Sequence, residues 1–181
     1  MIRFAFPALR AGKARARNLT LELAMADTTQ YLTLGIDREL FGIDIRNVRE
    51  ILDMRPISKL PHAPAFLLGI IDVRGAGYPI LDLRTKLHLP RVEPTEATRI
   101  IILDVPLKGR TLAVGFVADR VLEVTGLDGD QTVAPPDVGG RWESNYIAGI
   151  GRKGDAFVII FDLERLMESD EDLLSVEQAA A

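Results

Sequence analysis

The sequence predicts an all-β protein made of small barrels. Three observations carry that prediction. Short apolar runs with β periodicity recur at close spacing along the chain. Turns containing glycine separate them, with no regular alternation of strands and long helices. A segment near residue 41 recurs near residue 114, which marks two related β units.

The strands follow in order. Tyr31–Ile36 alternates, Asp37-Arg-Glu39 turns the chain, and Leu40–Ile45 alternates again with Phe41, Ile43 and Ile45 on one face. Gly69–Val73 is a short strand, followed by a turn at Gly75-Ala-Gly77. Pro79–Leu83 comes next, with its proline at the first position, where a missing N–H is tolerated. After the linker Pro90–Glu96, Arg99–Val105 reads as a buried strand. Lys108-Gly-Arg110 turns it into Thr111–Val117. Tyr146–Ile150 and Ala156–Phe161 close the series around a turn at Gly151–Asp155. Two short helices are expected, Arg84–Leu89 stopped by Pro90, and Leu163–Glu168 at the C-terminal end.

The repeat organises these elements. Phe41–Ile51 aligns with Val114–Val124 at an offset of 73, superposing Gly42 on Gly115, Val48 on Val121 and Glu50 on Glu123. Gly69-Ile70 and Gly149-Ile150 each lie 13 residues before an Asp-Leu pair, Asp82-Leu83 and Asp162-Leu163, at an offset of 80. The extra residues of the second copy fall in the Gly/Pro-rich stretch 126–140. The body is therefore expected at residues 28–168, with one subdomain at about 28–88 and a second at about 98–166. Residues 1–27 read as a basic, disordered extension carrying Arg3, Arg10, Lys13, Arg15 and Arg17. Residues 169–181 read as an acidic tail.

Composition excludes several function classes. The 181 residues contain no cysteine and two histidines, so a disulfide framework and a cysteine metal site are impossible. A net charge of −4 argues against nucleic acid as the main partner. No apolar run is long enough for membrane insertion. The catalytic patterns fail in turn. Gly75-Ala-Gly77 lacks the third glycine of a dinucleotide loop, no phosphate loop or nucleophile elbow occurs, and His62 and His88 lack oriented partners. Asp82 and Asp162 stand at equivalent strand-to-helix junctions, where a carboxylate caps backbone N–H groups. Asp128-Gly-Asp130 reads as a turn, because the other ligands of a calcium loop are missing. The expectation is a chain without catalytic residues, metal or cofactor.

What remains is a binding surface. Val48-Arg49-Glu50-Ile51 mixes apolar and charged side chains. Arg74 stands at a turn beside Gly75, where a guanidinium is well placed for bidentate contacts to carboxylates or carbonyls. Tyr78 is a candidate aromatic anchor.

The run from Leu60 to Arg84 resembles the signature of the CheW family, adaptors between bacterial chemoreceptors and the histidine kinase CheA. The family pattern is Pro-x-x-Pro, an apolar pair, Gly-Val/Ile, Asn-Leu-Arg-Gly, then Pro-Ile/Val-x-Asp-Leu-Arg. Matching residues are Pro61, Pro64, Gly69, Arg74-Gly75, Pro79 and Asp82-Leu83-Arg84. Upstream, Val48-Arg-Glu-Ile51 resembles Val-x-Glu-Ile. Downstream, Val114–Val124 and Tyr146–Ile150 resemble two further family elements. Asp72-Val73 replaces the usual Asn-Leu, which puts a carboxylate beside Arg74 as a candidate ion-pair partner.

The resemblance implies two interlocked five-stranded SH3-like β-barrels with short connecting and C-terminal helices. It implies a cytoplasmic, non-catalytic scaffold at receptor arrays. Its partners would be the regulatory domain of CheA and the cytoplasmic tip of methyl-accepting chemotaxis receptors. Carried over residue by residue, the receptor- and kinase-binding positions are Val48, Glu50, Ile51, Arg74 and Gly75. A CheW-like adaptor of a pathway governing pili, surface behaviour or a second messenger is the alternative.

Overall fold

In a computed structural model, residues 29–129, 132–135 and 146–168 are described. The basic segment 1–27, the acidic tail 169–181 and Asp130 of the Asp-Gly-Asp turn lie outside the described residues.

Among the described residues, ten strands, two short α-helices and one 3-10 turn (Ile45–Asn47, between the second and third strands) occur; the strands and α-helices follow one another as β1 (Gln30–Ile36), β2 (Glu39–Asp44), β3 (Val48–Asp53), β4 (Leu67–Val73), β5 (Ala76–Asp82), α1 (Leu83–Lys86), β6 (Arg99–Leu107), β7 (Arg110–Ala118), β8 (Arg120–Gly126), β9 (Ile147–Lys153), β10 (Ala156–Phe161) and α2 (Leu163–Glu168). They form two curled five-stranded sheets, ordered β8-β1-β2-β10-β9 and β3-β6-β7-β5-β4.

Neither sheet comes from one contiguous half of the chain. The halves 28–88 and 98–166 interleave, because β3 pairs with β6 of the second half and β8 pairs with β1 of the first. Replacing each strand by its repeat equivalent converts one sheet order into the other. The registers repeat as well. Ile160 stands opposite Gly42 in the parallel β10–β2 ladder, and Ile80 stands opposite Gly115 in the parallel β5–β7 ladder. Isolated bridges recur at Ser58–Ile70 and Val133–Ile150.

The core has three parts. The largest lies between the sheets and joins Leu32, Leu34, Ile36, Phe41 and Ile43 to Ile101, Leu103, Val105, Val114 and Phe116, with Leu163, Leu166 and Met167 of α2 closing one end. Each curled sheet also holds a smaller cluster, around Ile71, Ile80, Ile100 and Ile102 in one and around Leu127, Val158 and Ile160 in the other. This explains the uninterrupted run Ile100–Leu103: its odd and even members face different clusters, so β6 is apolar on both faces.

Four elements differ from the sequence expectation. β3 and β8 were not expected as strands; both are sheet edges with mostly exposed or half-exposed residues, so their apolar periodicity is weak. β5 begins at Ala76 and not at Pro79, because the turn closes at Arg74-Gly75. Pro79 is tolerated there since the ladder with β7 starts only at Ile80. α1 ends at Lys86, short of the expected Leu89.

The two Asp-Leu junctions behave alike. Asp82 Oδ1 accepts from the Arg84 N–H at 3.0 Å, and Asp162 Oδ1 accepts from the Arg165 N–H at 3.0 Å. Beyond the caps the two copies diverge in charge. Arg84, only 9% exposed, donates to Asp119, to Asp37 Oδ1 at 3.1 Å and to the Pro90 carbonyl at 2.8 Å. It thereby ties α1 to the β1–β2 turn and to the β7–β8 link. At the repeat-equivalent position Glu164 accepts from the Lys108 N–H of the β6–β7 turn at 3.4 Å.

Candidate functional site

Of the residues singled out from the sequence, Glu50 and Arg74 are brought together at the edge of the sheet that ends in β3 and β4, while Ile51, next to Glu50 on the same strand, points to the opposite side. Val48, Glu50 and Ile51 lie on β3, whose pairing with β6 shifts register between Val48 and Glu50. Arg74 and Gly75 form the tip of the β4–β5 hairpin, and Val73 pairs directly with Ala76. Both tip residues have positive φ, +56° at Arg74 and +86° at Gly75. That pair of angles matches a two-residue type I′ turn, in which glycine at the second position costs no Cβ strain.

Asp72 does not pair with Arg74. Its Oδ1 accepts from the Gly75 N–H at 3.0 Å and so closes the turn. Its side chain belongs to the hairpin, and Arg74 finds its partner across the curled sheet. Arg74 Nη2 donates to Glu50 Oε1 at 2.8 Å. The sheet curls far enough for this because the chain after β3 returns alongside β4. Ser58 and Ile70 exchange backbone hydrogen bonds of 2.9 and 2.8 Å, at a point where Gly69 leaves room for the Ser58 carbonyl.

Five positions therefore have distinct roles in the geometry. Arg74 is the most exposed, at 82% of its side chain, and Glu50 beside it is 28% exposed. Ile51 is 40% exposed and presents apolar surface. Gly75 shapes the turn. Val48 is half-buried and packs against the main core, which ties the strand to the barrel interior.

Sequence reasoning did not anticipate the second ion pair at this edge. Arg49 donates through Nη2 and Nε to Asp104 at 2.6 and 3.2 Å, and through Nη1 to the Tyr78 hydroxyl at 3.2 Å. The Tyr78 hydrogen bond first, and then Asp104, push the Arg49 pKa further up. Tyr78, flagged as an aromatic anchor, thus serves as a hydrogen-bond acceptor for Arg49. The three residues come from β3, β5 and β6, and no local spacing signals their meeting. The two arginines are consequently unlike. Arg49 has all three nitrogens engaged by its own chain. Arg74 uses a single nitrogen, and its Nε and Nη1 carry no hydrogen bond to the described residues.

The arrangement offers groups suited to recognition: a guanidinium with open donors beside a carboxylate, and an exposed isoleucine on the other side of the same strand edge. A family model for the CheW-like domain matches residues 30–171. The chain belongs to the CheW-like family. Chemotaxis protein CheW of Klebsiella aerogenes is 31% identical over 142 residues, covering 78% of this chain and 83% of that protein. Chemotaxis protein CheW of Rhizobium meliloti is 31% identical over 157 residues, covering 81% and 97%. The scaffolding protein TtCheW from Thermoanaerobacter tengcongensis superposes with a TM-score of 0.69 at 29% identity, covering 79% of this chain and 94% of that one. The expected fold and family are those found, and the role is that of a CheW-type adaptor. Among the described residues, no helix is long and apolar enough to cross a membrane.

Proposed function

We propose that this CheW-like chain is a non-catalytic adaptor that couples methyl-accepting chemoreceptors to the regulatory domain of CheA, working in the cytoplasm at receptor arrays. Its docking surface is the sheet edge that carries Glu50, Ile51, Arg74 and Gly75, with Val48 anchoring the strand beneath. The observation that carries this reading is Arg74: a guanidinium held at a capped hairpin tip, exposed, with donors left open. The fixed backbone of the tip presents the guanidinium at a defined place on the surface. The interleaved sheets suit a scaffold, because both barrels share one core and a load on either face is carried by the other. Individual contacts of modest strength gain effect when many adaptors act together.

Co-purification tests the reading. The full chain is mixed with a soluble receptor-tip fragment and the CheA regulatory domain, and both are recovered with it. Recovery of neither contradicts the proposal.

A further inference from the structure

Residues 90–97 join the two halves of the repeat. They are exposed at every position, and residues 89–95 have no regular secondary structure. Val92, Glu93 and Pro94 form part of the wall of a cavity of about 310 Å³ that Met54, Leu68 and Val117 also line. We propose that this linker is a strap clasped over the cavity by Arg91, that it opens while both sheets stay folded, and that Arg84 couples its opening to the junction between the sheets.

The strap is tied in three places. At its start the buried Arg84 donates through Nε to the Pro90 carbonyl at 2.8 Å, and the Leu89 N–H donates to the Arg84 carbonyl at 2.7 Å. At its end the Thr95 N–H donates to Thr98 Oγ1 at 2.8 Å, and the Thr98 N–H donates to the Thr95 carbonyl at 3.1 Å. Between these roots the clasp is Arg91. Its Nη2 donates to the Ala65 carbonyl, and its Nε donates to Thr85 Oγ1 at 3.1 Å and faces Asp82 Oδ2 at 3.4 Å. The Arg91 side chain is 54% exposed, so solvent screens the ion pair and water competes for the hydrogen bonds. A segment with firm roots and a weak clasp opens locally, at a cost well below that of global unfolding.

Arg84 extends the effect beyond the strap. The same planar fork that holds Pro90 donates to Asp119, in the β7–β8 link, and to Asp37 Oδ1, in the β1–β2 turn of the other sheet. Each bond helps fix the plane of the guanidinium. Without Asp37 the fork turns more freely and its hold on Pro90 loosens. One side chain thus reads both the strap and the sheet junction, which makes the two states interdependent.

The chain contains no cysteine, so a single introduced thiol reports alone. On the full chain under native conditions, Leu68→Cys places a thiol on the cavity wall and Val114→Cys places one in the main core. Labelling with a small aromatic disulfide reads access to each. Adding Arg91→Ala is expected to speed labelling at the Leu68→Cys site about two- to fivefold, the range of one exposed pair, and to leave the Val114→Cys site unchanged. Adding Asp37→Gly, which the φ of +55° there admits, is expected to speed labelling at the Leu68→Cys site about twofold, although Asp37 lines no part of the cavity. Hydrogen exchange in the cysteine-free chain makes the same comparison should a cysteine variant fail to fold: residues 91–93 exchange faster in Arg91→Ala and in Asp37→Gly, and β6 does not. Equal labelling and exchange with and without Arg91→Ala, or an equal rise in the main core, overturns the strap. A strap indifferent to Asp37→Gly overturns the coupling through Arg84.

Discussion

Ile80 stands opposite Gly115 across the parallel β5–β7 ladder, and its Cδ1 lies 2.4 Å from where a Cβ on Gly115 would sit. The same relation recurs in the other sheet, where Ile160 Cδ1 lies 2.6 Å from the Cβ position of Gly42. Each copy of the repeat uses a glycine to admit an isoleucine from the strand that joins the two halves. Gly115→Ala is therefore expected to overpack the small core cluster, at a cost of about 1–3 kcal/mol in chemical denaturation. Ile80→Val removes the offending methyl, and the double variant is predicted to be less destabilised than the sum of the singles.

Two other glycines separate backbone conformation from close approach. A Cβ at Gly69 would meet the Ser58 carbonyl oxygen at 2.1 Å, and Gly69 φ is +143°. Backbone cannot step aside as a side-chain tip can, so Gly69→Ala is expected to cost more than about 3 kcal/mol and to open the barrel. At Gly75 nothing lies within 4 Å of that position. Gly75→Ala suffers only from its φ and is expected to cost about 1 kcal/mol. Comparing the two denaturation midpoints checks the distinction.

Arg84 is the buried charge that joins the two sheets. Removing it as Arg84→Met leaves Asp119 and the Asp37 turn without their guanidinium, and the loss is predicted at about 2–4 kcal/mol, tempered by the partial exposure of both acids. Arg84→Lys is expected to recover less than half of that, since one ammonium cannot serve Asp37, Asp119 and the Pro90 carbonyl from a planar fork.

Lys86 on α1 supplies a pH dependence. Burial lowers its pKa from 10.5 to about 8, and its Nζ sits 4.6 Å from the centroid of the Phe66 ring. Between the folded and unfolded values the unfolded chain binds more protons, so stability rises with pH through that window. Relative to Lys86→Met, the wild type is expected to gain stability from about pH 8 to 10.5. A flat difference across that range contradicts the assignment.

Much of the fold was legible because the repeat and the apolar runs are properties of neighbouring residues. Phe41–Ile43 and Ile100–Leu103 announce their strands locally. The interleaving was not legible, since β3 and β8, the strands that cross between halves, are exposed edges whose charged residues blur the period. For the site, Arg74 and Glu50 were each identifiable from their motifs. Their contact was not, because it depends on how far the sheet curls, and Asp72, the nearer acid in sequence, is taken by the turn. The Arg49–Asp104–Tyr78 cluster stayed hidden for the same reason.

As a surface pair, Arg74 and Glu50 are expected to matter for docking and not for folding. Arg74→Ala is predicted to change stability by less than about 1 kcal/mol in denaturation, with the circular dichroism spectrum unaltered.

The most direct measurement of the account is the affinity of the full chain for a soluble receptor-tip fragment, compared between wild type, Arg74→Ala and Arg49→Ala by titration calorimetry at fixed ionic strength. The account predicts measurable wild-type binding, a loss of about tenfold or more in Arg74→Ala, and a smaller loss in Arg49→Ala, whose nitrogens are already engaged by Asp104 and Tyr78. Equal affinity of wild type and Arg74→Ala would contradict it.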